Sequence, residues 1–439
     1  MIADHHKETA RWAMQYALKN GCQNARVNIS SGTSNNFEVL NDKLDTLNQS
    51  SENSMNIELF VDGRYGNYAT NRINKKELEA FIKNGITTTR FLAEDPCRTL
   101  PDPVVYYKGG MPDLQITDSR FAALTPDEKI ALASSVANEI YNTDKRLISV
   151  TGGYQDGTYD TYILASNGFE GERSQTYFTL SGSASIMGDG EARPSDGWYE
   201  GAVFFDKLPK EGIGKKALER VLRKLGQQKI ASGKYTMVLE PIVASRLLGP
   251  VMQAISGSAL QQKNSFLIDK LNQKIASDKL TLIDDPYQPG AYGSRYYNSE
   301  GVKTERRPVF ENGILKTYYI DTYSGNKMQV APTIGAPTRL TMVHGEKNID
   351  QLIAGVDKGI LVTGFNGGNS NSTTGDFSYG IEGFLIEKGV LTQPVSEMNV
   401  TGNMLSLWNS LAEVGNDPRE FTSWRIPSLV FDEISFSGI

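Results

Sequence analysis

Two cysteines and three histidines in 439 residues are what this sequence has least of, and both scarcities exclude chemistry. Cys22 and Cys97 belong to no CxxC pair, so neither a disulfide framework nor a cysteine-rich metal site is expected. His5 and His6 are adjacent, about 100° apart if helical, and His344 lies far along the chain, so no HExxH or HxH spacing of a zinc enzyme assembles locally. No apolar run approaches the ~18 residues of a membrane-spanning helix, and Met1 to Trp12 carries charge where a secretion signal is apolar; the expected location is the cytoplasm. A formal net charge of -6 disfavours general nucleic-acid binding, because phosphate attraction supplies most non-specific affinity. A chain of this length, 39% hydrophobic and 22% charged, reads as soluble globular protein in two domains.

What is present is an orderly succession of signals. Residues 7–20 place Ala10, Trp12, Ala13, Ala17 and Leu18 on one face of a helix that ends before Gly21. Strand-like stretches follow at Ala25 to Ile29, Phe37 to Leu40, Leu44 to Leu47 and Ile57 to Phe60, with a turn at Asp62-Gly63. Asn74 with Glu77, and Thr125-Pro126-Asp127-Glu128, open two further helices. Residues 95–118 read as a connector, and 147–205 as short strands among Gly turns. Lys207 to Lys234 reads as a helix whose many basic residues form a solvated face. Glu240-Pro241 opens a helix towards Leu260 that Gly249-Pro250 kinks or breaks. Hairpins are expected about Asn312-Gly313 and Lys388-Gly389. The fold class is α+β in two domains. Residues 1–228 form a helix-plus-antiparallel-sheet domain, divisible into 1–95 and 115–228, and residues 229–439 a β-rich, barrel-like domain with an inserted helix.

No single constellation identifies a reaction. The loop from Gly364 to Asp376 is rich in Gly, Asn, Ser and Thr, as a mobile loop or one facing a polar ligand would be, and it lacks the Gly-Lys-Ser/Thr ending of a phosphate loop. Ser324 and Lys327 have SxxK spacing, but their neighbours read as a turn, and no GxSxG occurs. Asp284-Asp285 before Pro286 reads as a turn former before an acid/base dyad. Glu300, Glu305 and Asp376 are oxygen ligands without a demanding spacing, and Arg295 with Arg306-Arg307 could clamp a carboxylate or form surface ion pairs.

The second half carries a longer pattern: Leu247-Leu248-Gly249-Pro250 to Ala259, Ser265-Phe266-Leu267, Asp285-Pro286, Gly293-Ser294, Glu300-Gly301-Val302 and Glu311-Asn312-Gly313. It continues in Lys358 to Thr363, Thr374-Gly375-Asp376-Phe377-Ser378, Gly383-Phe384 and Val414-Gly415-Asn416-Asp417, with Asp62 to Gly66 and Thr70-Asn71-Arg72 in the first half. This string resembles the TldD/PmbA family, once called modulators of DNA gyrase. TldD-type members carry an HExxxH helix and a later cysteine that hold zinc. The corresponding stretch here, Leu247 to Gln262, has no His, Cys or Glu, and Glu420 to Pro427 has no Cys. The resemblance is therefore to the PmbA branch, also called TldE. It implies a subunit without catalytic or metal residues of its own, which binds unfolded or leader peptides and partners a zinc-bearing TldD-type chain in proteolysis and peptide maturation. A homodimer is the other expected assembly. Residues expected to contact an extended peptide are Ser294, Arg295, Glu300, Asn369, Asn371, Gly375, Asp376 and Ser378. Two alternatives stand beside this: a stand-alone peptidase using carboxylates or the Ser/Lys pair, and a homo-oligomeric peptide-binding regulator.

Overall fold

The computed structural model describes residues 1–439. The first half is one antiparallel sheet of six strands in the order β3-β2-β1-β4-β5-β6. They are β1 (Asn24–Leu40), β2 (Lys43–Val61), β3 (Arg64–Thr70), β4 (Leu147–Ala165), β5 (Glu170–Ile186) and β6 (Ser195–Ala202). The separate strand signals in residues 25–61 thus merge into two long strands. Ser30 to Asn36 stays extended despite its polar composition because β2 and β4 pair with it on both sides. The connector around residues 95–118 holds no helix longer than three residues.

Period-two alternation assigns the two faces of this sheet. Val27, Ile29, Phe37 and Val39 point to the face covered by four helices: α1 (Asp4–Lys19), α2 (Lys75–Thr89), α4 (Pro126–Asn138) and α5 (Ile213–Leu222); the one-turn α3 (Arg120–Ala123) precedes α4. The start signals hold in detail. The Asn74 side chain accepts from the Glu77 N–H, and Thr125 with Glu128 closes a reciprocal capping box. Of the glycines expected to make turns in residues 147–205, Gly168, Gly188 and Gly190 lie between strands, but the others lie inside them. A Cβ on Gly152 would meet the Ala133 carbonyl oxygen at 2.2 Å, so the glycine is what lets α4 lie close on β4.

The strands of the second half are β7 (Gly233–Leu239), β8 (Leu282–Asp284), β9 (Arg307–Glu311), β10 (Ile314–Leu315), β11 (Leu340–Met342), β12 (Lys358–Phe365), β13 (Asn369–Ser370), β14 (Asp376–Glu387), β15 (Val390–Asn403), β16 (Leu411–Val414), β17 (Trp424–Arg425) and β18 (Leu429–Ser437). β7, β18, β15, β14 and β12 pair in succession, and β12 pairs back onto β7 in parallel, so five strands close a barrel. β13 hangs on β14 as an edge, and β10-β9-β8-β11-β17 form a second small sheet. Its helices are α6 (Pro241–Ala254), α7 (Gly257–Gln261), α8 (Thr322–Met328), α9 (Ile349–Ala354) and α10 (Met404–Asn409). Met237, Leu239, Ile360 and Val362 pack into a core with Leu247, Leu248 and Val251 of α6, while Val238 and Leu361 pack under Leu352 and Ile353 of α9. The two expected hairpins are present, with Asn312-Gly313 and Lys388-Gly389 all at positive φ.

Three local expectations are corrected. Pro250 sits inside α6, which ends only at Ala254; the chain breaks afterwards, where Ser256 caps α7. Asp284 is a fully buried residue at the end of β8, accepting from the Thr338 and Arg339 N–H groups and the Tyr319 hydroxyl. The basic helix is only Ile213–Leu222, and its charges are solvated only in part: Lys215 and Glu219 are exposed, but Arg220 and, just past the helix end, Lys224 are buried among carboxylates from distant segments.

Candidate functional site

Two concave regions bear on function. The first is a groove of about 810 Å³ along α6. Val243, Arg246, Gly249, Pro250 and Gln253 recur at helical spacing along its wall, facing Asn369 and Ser370 of β13. Pro250 has no N–H to donate to the Arg246 carbonyl, and the Arg246 guanidinium lies 5.0 Å from the Tyr379 ring centroid. β13 ends its sheet, so its outward edge has no strand neighbour. The turn from β13 to β14 is stiffened by its own side chains. Asn371 accepts from the Thr373 N–H at 2.9 Å, and Asp376 accepts from the Thr374 hydroxyl at 2.7 Å and the Asn403 amide at 3.0 Å. These two donors hold the Asp376 carboxyl below the usual range. Ser378 lies opposite Asn369 in register, and Gly375 has φ +82° against the Phe266 ring. Five of the eight expected contact residues, Asn369, Asn371, Gly375, Asp376 and Ser378, therefore gather at this edge.

The other three lie elsewhere, on the loop between β8 and β9. Ser294 is buried and donates to the Gln288 carbonyl at 2.8 Å, holding the loop's own shape. Arg295 and Glu300 face a cavity of about 430 Å³ between this loop and the helix-free face of the six-stranded sheet. Arg26 and Asn28 of β1, Glu58 of β2, Thr161 of β4 and Arg173 of β5 alternate onto that face. Arg26 and Glu58 form a cross-strand fork at 2.7–3.0 Å. Burial pushes the Glu300 carboxyl above the usual range, with Arg26 opposing it. Gly301, at φ +84°, has the Phe169 ring where a Cβ would stand, so only glycine lets the loop dock here.

The remaining candidates are not assembled. Ser324 lies on α8, a helix where a turn was expected, because Asp321 caps its N–H; the Lys327 ammonium instead sits 3.1 Å from Asp95. Arg306 stands 3.4 Å from Asp285 and takes no part in the cavity with Arg295. Arg173, which shares that cavity, escaped the sequence reading because only the β5 register aligns it with Arg26 and Arg295.

Family models described as PmbA/TldA metallopeptidase domain 1, central domain and C-terminal domain match residues 25–88, 119–225 and 232–438. The chain belongs to the PmbA/TldD family. The first two family domains share the single six-stranded sheet. The chain is similar, at 60% identity over all of both chains and a TM-score of 0.98, to a crystal structure from Bacteroides thetaiotaomicron VPI-5482 described as a candidate modulator of DNA gyrase. It is 25% identical to the metalloprotease PmbA of Escherichia coli O157:H7, across 94% of this chain and 92% of that one. The structure of TldE from Thermococcus kodakarensis shares the fold, with a TM-score of 0.84 at 19% identity, covering 98% of this chain and all of that one.

The family descriptions imply a metal, and the residues here do not fit one. The groove side of α6 carries no imidazole, thiolate or carboxylate, and no three His, Cys, Asp or Glu side chains converge anywhere in the chain. No helix is long and apolar enough to cross a membrane.

Proposed function

We propose that this chain is the TldE-like, peptide-handling subunit of a two-chain peptidase, whose zinc belongs to a TldD-type partner. The observation that carries this reading is the α6 groove: a helix face without a single metal ligand runs beside the open edge strand β13. An extended, unfolded or leader peptide can add to such an edge through backbone hydrogen bonds, which demand no particular sequence, while pockets along α6 accept alternate side chains. Gly368 suits this role, since its φ of +89° and close approach to the Ser378 carbonyl bring the chain into β13 at an angle that a side chain would block.

Hydrogen exchange tests the reading. With an unstructured peptide at saturation, amides within residues 368–370 are expected to slow more than any others outside the interdomain cavity, because ladder hydrogen bonds replace water. Binding that leaves this edge unprotected contradicts strand addition.

A further inference from the structure

Within the interdomain cavity, Arg173 and Arg295 have neither the carboxylate partner of Arg26 nor the close aromatic stacking of Arg98, whose guanidinium lies 3.4 Å from the Tyr323 ring centroid. Neither forms an ion pair; Arg173 makes no side-chain hydrogen bond, and Arg295 makes one, donating to the Pro337 carbonyl at 2.7 Å. Both Nε atoms are buried without an acceptor. The carboxylates of the same wall are engaged elsewhere: Glu58 by Arg26, Asp321 by the Ser324 N–H, and Glu300 by the Thr322 N–H at 3.3 Å. Burial, together with the neighbouring Arg173, pulls the Arg295 guanidinium down to about 10.

Two more atoms at this wall are buried without partners, the Tyr297 hydroxyl and Asn28 Oδ1. The unmet set is thus two guanidinium donors, one hydroxyl donor and one amide acceptor. Buried polar groups are almost always paired, and a desolvated cation left alone is among the costliest arrangements in a folded chain. Such a set is complementary to the end of a peptide: a carboxylate for the arginine forks, a carbonyl for Tyr297, and an N–H for Asn28. Arg173, Arg295 and Tyr297 also border an adjoining cavity of about 510 Å³, which leaves room for several residues leading up to that end.

We infer that Arg173 and Arg295 form a seat for a carboxylate, that of the C-terminus of a bound peptide. The inference rests on the peptide-binding reading above. Labelled unstructured octapeptides of one sequence are titrated by fluorescence anisotropy in three forms: free acid, C-terminal amide, and amide carrying an internal Asp. The free acid is expected to bind wild-type protein about 10-fold or more tighter than the plain amide, the value of one charge-assisted hydrogen-bonded pair. Arg173→Met removes no hydrogen bond or ion pair, so it should fold normally while abolishing that preference; Arg295→Met, which gives up its one bond to the Pro337 carbonyl, should abolish it too. Recovery of tight binding by the Asp-bearing amide assigns the seat to side-chain carboxylates. Equal binding of acid and plain amide to wild type, or a preference that survives in both variants, overturns the seat and leaves the peptide reading standing. Binding of none of the three overturns both.

Discussion

Asp156→Ala is expected to destabilise the N-terminal half by roughly 3–5 kcal/mol. Asp156 is fully buried between the six-stranded sheet and α4, and its two oxygens receive the Lys129 ammonium at 2.9 and 3.1 Å, the Tyr154 hydroxyl at 2.7 Å and the Asn35 amide at 2.7 Å. Lys129 is only 3% exposed, so removing the carboxylate strands a cation and two donors in an apolar setting. Replacing both charges, as Lys129→Met with Asp156→Leu, should cost far less, because no unpaired charge remains. Denaturant unfolding followed by circular dichroism measures both. An Asp156→Ala loss below about 1 kcal/mol, or a double variant as unstable as the single one, contradicts the account.

Arg220→Ala should cost on the order of 3 kcal/mol and loosen the two halves from one another. Arg220 reaches Glu240 at 2.7 Å and Asp196 at 3.2 Å; Arg223 reaches Glu240 at 2.6 Å; Lys224 reaches Glu382 at 2.6 Å and Asp196 at 3.1 Å. The network ties α5 and β6 to the residue preceding α6 and to β14 of the barrel. Unfolding is expected to separate into two transitions in the variant. The network also carries a pH signature. Burial opposes ionisation of Asp196, but Lys224 and Arg220 outweigh it and hold the carboxyl below its usual range. A carboxyl depressed by folding contributes stability above its unfolded value of about 3.9, and that contribution disappears as pH falls through the lower folded value. Wild type should therefore lose stability below about pH 4, and Arg220→Ala should lose less over the same interval. Equal acid sensitivity in the two proteins contradicts the assignment.

Signals that act over a few residues were legible in the sequence. The Asn74 and Thr125 caps, and the turns at Asp62-Gly63, Asn312-Gly313 and Lys388-Gly389, formed as expected because their hydrogen bonds and positive φ values are satisfied locally. What depended on distant partners was not. Arg220, Arg223 and Lys224, at the end of α5 and just past it, look like part of a solvated face until Asp196, Glu240 and Glu382 are brought beside them from three other segments. Closure of the barrel rests on β12 meeting both β7 and β14, two pairings that no window of sequence contains. The string of motifs shared with the PmbA/TldD family singled out Gly375, Asp376 and Ser378, and the polar loop added Asn369 and Asn371, yet neither signal separated these from Arg295 and Glu300, which face the other cavity.

The most direct test of a peptide-handling, metal-free subunit is cleavage of an unstructured, mixed-sequence peptide, followed by mass spectrometry with added zinc and with chelator. The account predicts no cleavage by this chain alone under either condition, and chelator-sensitive cleavage when a TldD-type chain is added. Chelator-sensitive cleavage by the isolated chain would show that residues assigned here to structure assemble a metal site of their own.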